Sequence, residues 1–277
     1  MNTSSSQRRE RILTELLERR HVLARDLALR IGVSEATVRR DLRGLAAGGQ
    51  VELVYGGATL RRASDFSFHS KATRNTEAKR AIGRLAAGLV QDQDHIFLDS
   101  GTTCFEMAAF LKRKRGLSVI VNSARLAMEL DAPGLSVIMV GGQYRPDRMD
   151  FVGPLAMSIL NQLRGYVCFI GADGLHMDFG PAAADIESAS LYRQAALNAR
   201  QTVLLVDHGK FTAASLFKIV DWERISTVMT DQVPNGDWGE FFRSRGIEVT
   251  CGSGGPPVPA EAGTGRLDVL PGIDRSE

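Results

Sequence analysis

Seven short apolar runs recur through the last two thirds of the chain: Ile96–Leu98, Leu117–Val121, Val137–Val140, Val167–Ile170, Val203–Val206, Thr227–Met229 and Ile247–Thr250. Amphipathic stretches such as Thr103–Lys112 and Glu187–Ala199 lie between most of them. A strand that is apolar at every position must be buried on both faces. Alternation with helices supplies those covers, so the pattern predicts a mostly parallel sheet with helices on each side. Ligands of such sheets bind beyond the carboxyl ends of the strands, and five consecutive strand ends carry small or polar groups.

The first run is followed by Asp99-Ser100-Gly101-Thr102-Thr103, which opens into a helix. Hydroxyls, backbone amides and a positive helix end converge there, as a phosphate requires, although an ordinary serine or threonine N-cap gives the same pattern. The next ends read Asn122-Ser123, then Gly141-Gly142 with Arg145, then Gly171-Ala172-Asp173-Gly174, then Asp207-His208-Gly209-Lys210. Glycines allow close backbone approach, Lys210 offers a point charge for phosphate, and Asp99 and Asp173 can accept from sugar hydroxyls. A pocket for a small phosphorylated polyol is expected. Neither a Walker loop nor a dinucleotide fingerprint follows any strand, and no cofactor is expected.

The N-terminal region follows a different rule. Arg8–Arg19 carries Ile12, Leu13, Leu16 and Leu17 on one stripe, and Ala24–Ile31 carries Ala24, Leu27, Ala28 and Ile31, with Gly32 placed to stop it. Ser34 then caps a third helix whose Val38, Leu42 and Leu45 share an apolar face. Ala36, Arg40 and Arg43 point away from that face, with Thr37 and Arg39 on its flanks. A helix with a buried back and cations, hydroxyls and a small residue in front suits the major groove, though a surface helix with a solvated basic face has the same pattern. Gln50–Tyr55, Gly56-Gly57 and Ala58–Leu60 read as a hairpin wing. Together these elements predict a winged helix-turn-helix, with Ser34, Ala36, Thr37, Arg39, Arg40 and Arg43 as candidate DNA contacts.

Charge agrees with this division. The net +2 of the 277 residues hides 12 Lys+Arg against 7 Asp+Glu over residues 1–62, and 22 against 25 over the rest. The positive end is where a polyanion is expected. Cys104, Cys168 and Cys251 are odd in number and far apart, which argues against disulfides or a zinc site and suits the cytosol. No apolar run approaches the roughly 18 residues of a membrane span, and the opening MNTSSSQRRERI lacks an apolar signal region. A cytoplasmic protein with no membrane partner and no metal is expected. The organisation reads as a DNA-binding domain at 1–62, a polar linker at 63–74, an α/β domain at 75–251 opened by a helix capped at Thr76, and a disordered tail at 252–277. His208, Trp222 and Trp238 read as surface and packing residues. Cys104, after the phosphate-like turn, is given the weaker alternative of a helix-activated thiol.

Ser34-x-x-Thr37-Val38-Arg39-Arg40-Asp41-Leu42-x-x-Leu45, with a hairpin ending Tyr55-Gly56-Gly57-Ala58, resembles the DNA-binding domain of the DeoR family of bacterial sugar-metabolism regulators. That family's wing usually reads R-x-H-G-G-A, so Leu53 and Tyr55 depart from it. LDSGTT (98–103), VNSARLAMEL (121–130), VGGQYRPDRMDFVGP (140–154), FIGADG (169–174) and LLVDHGKF (204–211) resemble the family's effector domain, which is similar to ribose-phosphate isomerase. The resemblance covers roughly residues 7–251, and Glu77, Lys79 and Arg80 match a family pair. The segment 175–190 departs from the pattern and, read as a loop, is placed to cover the pocket. The resemblance implies double-stranded operator DNA and a sugar phosphate as partners, with Asp99, Ser100, Gly101, Thr102, Thr103, Asn122, Gly142, Asp173 and Lys210 around the effector. Arg145 and Gly171 join them from the strand-end reading. A homo-oligomer, dimer or tetramer, is expected on repeated half-sites. The rival reading is a sugar-phosphate isomerase with a DNA-binding appendage, for which Asp99 and Asp173 are the candidate bases.

Overall fold

The computed structural model describes residues 5–19, 21–47, 51–60, 68, 70–146, 148–234 and 236–252. The tail expected to be disordered lies, from residue 253 on, outside the described residues.

The first unit runs α1 (Ser5–Arg19), β1 (His21–Leu23), α2 (Ala24–Ile31), α3 (Glu35–Ala47), β2 (Val51–Val54) and β3 (Gly57–Leu60). Ile12, Leu16, Leu27, Val38, Leu42 and Leu45 meet in one core with Val51 and Ala58 of the wing. Gly32 stops α2 in the left-handed region at φ 76° and returns its N–H to Ala28 O, a conformation that costs glycine little. Ser34 Oγ accepts from Thr37 N at 3.2 Å, so it caps α3 as its position predicts. The wing has one strand more than expected. β1 pairs antiparallel with β3, in the order β1-β3-β2. Gly57 makes this possible, because a Cβ there would fall 2.0 Å from Val22 O.

The second unit continues with α4 (Thr76–Leu89), β4 (His95–Leu98), α5 (Thr102–Phe105), α6 (Ala108–Leu111), β5 (Leu117–Val121), α7 (Ala124–Glu129), β6 (Leu135–Met139), β7 (Gln143–Arg145), β8 (Asp150–Val152) and α8 (Pro154–Leu160). It closes with β9 (Val167–Gly171), β10 (Gly174–His176), β11 (Gly180–Ala183), α9 (Ile186–Asn198), β12 (Gln201–Leu205), β13 (Phe217–Lys218), β14 (Thr227–Thr230), α10 (Asp237–Ser244) and β15 (Glu248–Cys251). The seven expected runs form one sheet, ordered β15-β14-β12-β9-β4-β5-β6, with every pair parallel. The inner strands feed two cores in alternation: Phe97 and Ile120 pack on one face, Ile96, Leu98, Val119 and Val121 on the other. That double burial is why the inner runs are continuously apolar.

The order also locates a crevice. From β4 the chain moves outward to β5 and β6, then returns to the opposite side of β4 as β9. Connections after these two neighbours leave in opposite directions, opening a gap at their carboxyl ends.

Four expectations need correction. Thr103–Lys112 is not one helix; it divides into α5 and α6, with Met107 N and Phe110 N bonding three residues back. Thr76 does not cap α4, because Asn75 holds that place in the left-handed region and the Thr76 hydroxyl donates to Ala72 O at 2.9 Å. The linker reading fails for its second half. Residues 70–73 are helical, Phe68 stands edge-on to Phe105 with the Arg125 guanidinium over its ring, and Lys71 reaches Asp173. Residues 175–190 are not a plain loop but carry parts of β10, β11 and α9, with β10, β11 and β13 in a small antiparallel sheet.

Candidate functional site

On α3 the helical period separates the two roles cleanly. Val38, Leu42 and Leu45 are buried, while Ala36, Arg39, Arg40 and Arg43 are exposed on the other side. Thr37 is half-buried, and its hydroxyl lies 2.8 Å from that of Ser34, so the pair closes the helix start. Arg39 is held by Glu35 one turn back at 2.6 Å. Among the described residues Arg40 and Arg43 have no ion-pair partner. Below them Asp41, 2 % exposed, pairs with Arg8 of α1 at 2.5 Å and ties α3 to the bundle. At the wing tip Tyr55 is fully exposed and Leu53 half so.

The crevice beside β4 and β9 is a cleft, and it gathers most of the expected effector residues. Asp99, Ser100, Gly101, Thr102 and Thr103 enter from the end of β4, Gly171 and Asp173 from the end of β9, and Lys210 from the turn after β12. Asp99 is a brace. Its carboxylate accepts from Gly101 N at 2.7 Å and Gly171 N at 2.6 Å, stapling the two strand ends together. Burial pushes its carboxyl up, against the two amide bonds that favour the ionised form. Ser100 Oγ is engaged by Tyr192 at 2.7 Å and by Asp150. Asp173 accepts from Lys71 Nζ at 2.5 Å and from Ala184 N at 2.8 Å. Burial alone would raise its carboxyl, but Lys71, the amide and the charge of Lys210 hold it below the ordinary value. Among the described residues Lys210 has no ion-pair partner.

Three expected residues stand elsewhere. Asn122 is fully buried and joins β5 to β8 through Phe151, its Nδ2 donating to Phe151 O at 3.2 Å. Gly142, at φ 106°, is needed for packing, because a Cβ there would lie 2.6 Å from Val152 O. Arg145 is wholly engaged. It forms a two-bond pair with Asp150 at 2.7 and 2.8 Å and also donates to Asp185 at 2.9 Å and Ser188 at 3.0 Å. Burial disfavours its charge, yet these partners raise its affinity for the proton.

The cleft also holds residues that the strand-end reading missed. Phe68 and Lys71 arrive from the expected linker, Arg148 and Asp150 from the turn around β8, and Asp185, Ser188 and Tyr192 from α9. Asp185 caps α9 by accepting from Ser188 N at 2.9 Å, and Arg148 pairs with it. Burial would raise the Asp185 carboxyl, but the Ser188 amide with Arg145 and Arg148 holds it down to about 2. Asp150 and Asp185 carried a sequence signal, an acidic residue near an Arg-Pro-Asp-Arg turn and an N-cap before a helix; Lys71 carried none. Cys104 is fully buried and its thiol is pushed up, so the activated-thiol alternative fails. His208 stays exposed with Asp231 at 2.6 Å, and Trp222 and Trp238 pack with Phe241 and Phe242. Among the described residues no acidic, histidine or cysteine cluster is placed to hold a metal ion, and no helix is long and apolar enough to cross a membrane.

A winged helix with a free basic face, joined to an α/β unit with a cleft at its switch point, defines a DNA-binding regulator with a ligand-sensing domain. Comparison with known proteins makes this particular. The DeoR-like helix-turn-helix domain matches residues 8–63, and the DeoR C terminal sensor domain matches residues 74–232. The chain is 31% identical over 251 residues to the transcriptional repressor CsqR of Escherichia coli, covering 87% of this chain and 94% of that one. It is 30% identical over 246 residues to the transcriptional regulator GolR of Listeria innocua, covering 88% and 97%. Among solved structures, ribose 5-phosphate isomerase A of Methanocaldococcus jannaschii aligns at a TM-score of 0.34 with 21% identity over 49% of this chain and 54% of that one, too slight a likeness to bear on function. The chain belongs to the DeoR family of helix-turn-helix transcriptional regulators. Its relatives regulate transcription rather than catalyse. The geometry agrees: Asp99, a candidate base of the rival isomerase reading, has both oxygens on backbone amides.

Proposed function

We propose that this regulator is a cytoplasmic repressor of a carbohydrate-utilisation operon, released or recruited by a phosphorylated sugar bound in the switch-point cleft. Exposed Arg40 and Arg43 on α3 take guanine edges and phosphates in the major groove, with Ala36 allowing close approach and Ser34, Thr37 and Arg39 at the groove margin. One winged helix buries too little surface for high specificity, so a dimer or tetramer on repeated half-sites carries the recognition.

The observation that carries the effector reading is the position of Lys210. It is a lysine without an ion-pair partner among the described residues, in a cleft that Asp173, Thr102 and Thr103 also line, and its charge is felt by Asp173. A phosphate needs the cation and the hydroxyls; a polyol needs the carboxylate acceptor. Asp99 shapes this cradle and Gly171 lets the ligand approach the backbone.

Fluorescence anisotropy on DNA from upstream of the regulator's own gene tests both halves, at low and physiological salt, with and without ribose 5-phosphate, glucose 6-phosphate, fructose 6-phosphate and glycerol 3-phosphate. Specific binding that falls steeply with salt and shifts with one of these is expected. Lys210→Ala is expected to keep operator binding and lose the shift. An unaltered response in that variant would remove the lysine from the site.

A further inference from the structure

Lys71, with Phe68, reaches the cleft from the connection to the winged helix. The described part of that connection begins at Phe68, eight positions after the end of β3, and it packs directly against the cleft. The short helical turn at 70–73 is anchored at several points. Lys79, 4 % exposed, sends its Nζ to the carbonyls of Lys71 and Arg74, and the Thr73 and Thr76 hydroxyls donate to Ser70 O and Ala72 O. Asn75 Nδ2 donates to Asp207 Oδ1 at 2.8 Å, which joins the turn to the loop that carries Lys210. A further tie is the Lys71 side chain, whose Nζ meets Asp173 Oδ1 at 2.5 Å in a partly exposed pair.

We infer that Lys71 is an effector ligand, and that its exchange of Asp173 for the anionic group of the effector carries cleft occupancy to the segment leading into the winged helix. The inference rests on the sugar-phosphate reading above. The exchange is chemically balanced. A phosphate dianion is a stronger partner for an ammonium than a carboxylate. Asp173 is not stranded when Lys71 leaves, because Oδ2 keeps the Ala184 amide and Oδ1 becomes free for a sugar hydroxyl. Arg148, also at the cleft, is paired with Asp185. A ligand acts on an equilibrium only through contacts that differ between the two states, and Lys71 is a contact that differs.

The test measures operator affinity of the full chain by anisotropy, first with no sugar phosphate present. Lys71→Met and Asp173→Asn each break the resting pair. Each is expected to shift the dissociation constant at least fivefold in the direction that effector shifts it. The double variant is expected to go no further than the larger single change, and Lys71→Arg to return the wild-type value. Unchanged affinity in both single variants, or shifts that simply add, would overturn the inference. With the sugar phosphate that moves the wild type, Lys71→Met is expected to respond less than twofold. Lys112→Met, which breaks an exposed pair with Glu129 in the same unit, is expected to respond fully; equal responses in the two would overturn the inference. A wild type that binds the duplex but answers to no sugar phosphate would fail the effector reading, while the ligand-free variants would still decide the role of the Lys71–Asp173 pair.

Discussion

Arg40 on the recognition helix and Arg145 beside the sensor cleft are the same side chain under opposite conditions. Arg40 stands exposed, with no ion-pair partner among the described residues. Arg145 is mostly buried and donates to Asp150, Asp185 and Ser188 at once. The first is held ready for a partner outside the chain, and the second has found its partners within it. The difference extends to the two units. The winged helix leaves Arg40 and Arg43 exposed, whereas the sensor pairs most of the charges around its cleft and, among the described residues, leaves Lys210 over. A basic residue in a functional segment is therefore informative only once its neighbours in space are known.

Removing the engaged arginine gives the largest expected effect. Arg145→Met leaves Asp150, 1 % exposed, as a buried carboxylate without its counter-charge, and such a loss costs about 3–5 kcal/mol. Thermal melting is expected to show it; a change below about 1 kcal/mol would mean that water or Ser100 compensates. Arg40→Ala is expected to leave melting unchanged and weaken operator binding by about 1–3 kcal/mol if it reads a base edge. Uniform weakening across DNA sequences, with a salt slope reduced by about one, would make it a phosphate contact instead.

The acid limb of stability sharpens the same contrast. Asp185 is depressed in the folded chain, so its contribution is complete above the ordinary carboxylate range near 4 and is lost as pH falls toward about 2. Asp185→Asn is expected to lower stability at neutral pH and flatten the decline between about pH 4 and 2. An unchanged limb would move the acid sensitivity to other carboxylates. Tyr55→Ala carries the smallest effect: the ring is fully exposed, so stability is expected to stay within about 0.5 kcal/mol. Operator affinity is expected to fall less than threefold, and a larger loss would restore the wing as a main DNA contact.

Periodicity made the fold legible. Val38, Leu42 and Leu45 announce the buried face of α3, and the apolar runs announce all seven strands of the parallel sheet, because burial on one face or two leaves a repeat in the residues themselves. β10 and β11 left no such repeat. Gly174-Leu175-His176 and Gly180-Pro181-Ala182-Ala183 lack the branched and aromatic residues that mark strands, and tertiary packing rather than local preference extends them. The cleft was legible where chemistry follows a strand end, as at Asp99–Thr103, Asp173 and Lys210. Arg145 misled because its four acceptor residues lie 5 to 43 positions away. Lys71 was silent because nothing local marks a lysine as part of a site assembled across 102 positions.

The staple made by Asp99 has one more consequence. With both oxygens fixed on the amides of Gly101 and Gly171, two strand ends that line the cleft are held together, while the exchange inferred above gives the change of partners to Lys71. Shape and transmission are thus assigned to different residues. On the proposed function, substitutions that reshape the wall around α9 and β11 are expected to retune which small molecule fits without touching the Lys71–Asp173 pair. One scaffold of this kind can diversify its diet while keeping its switch.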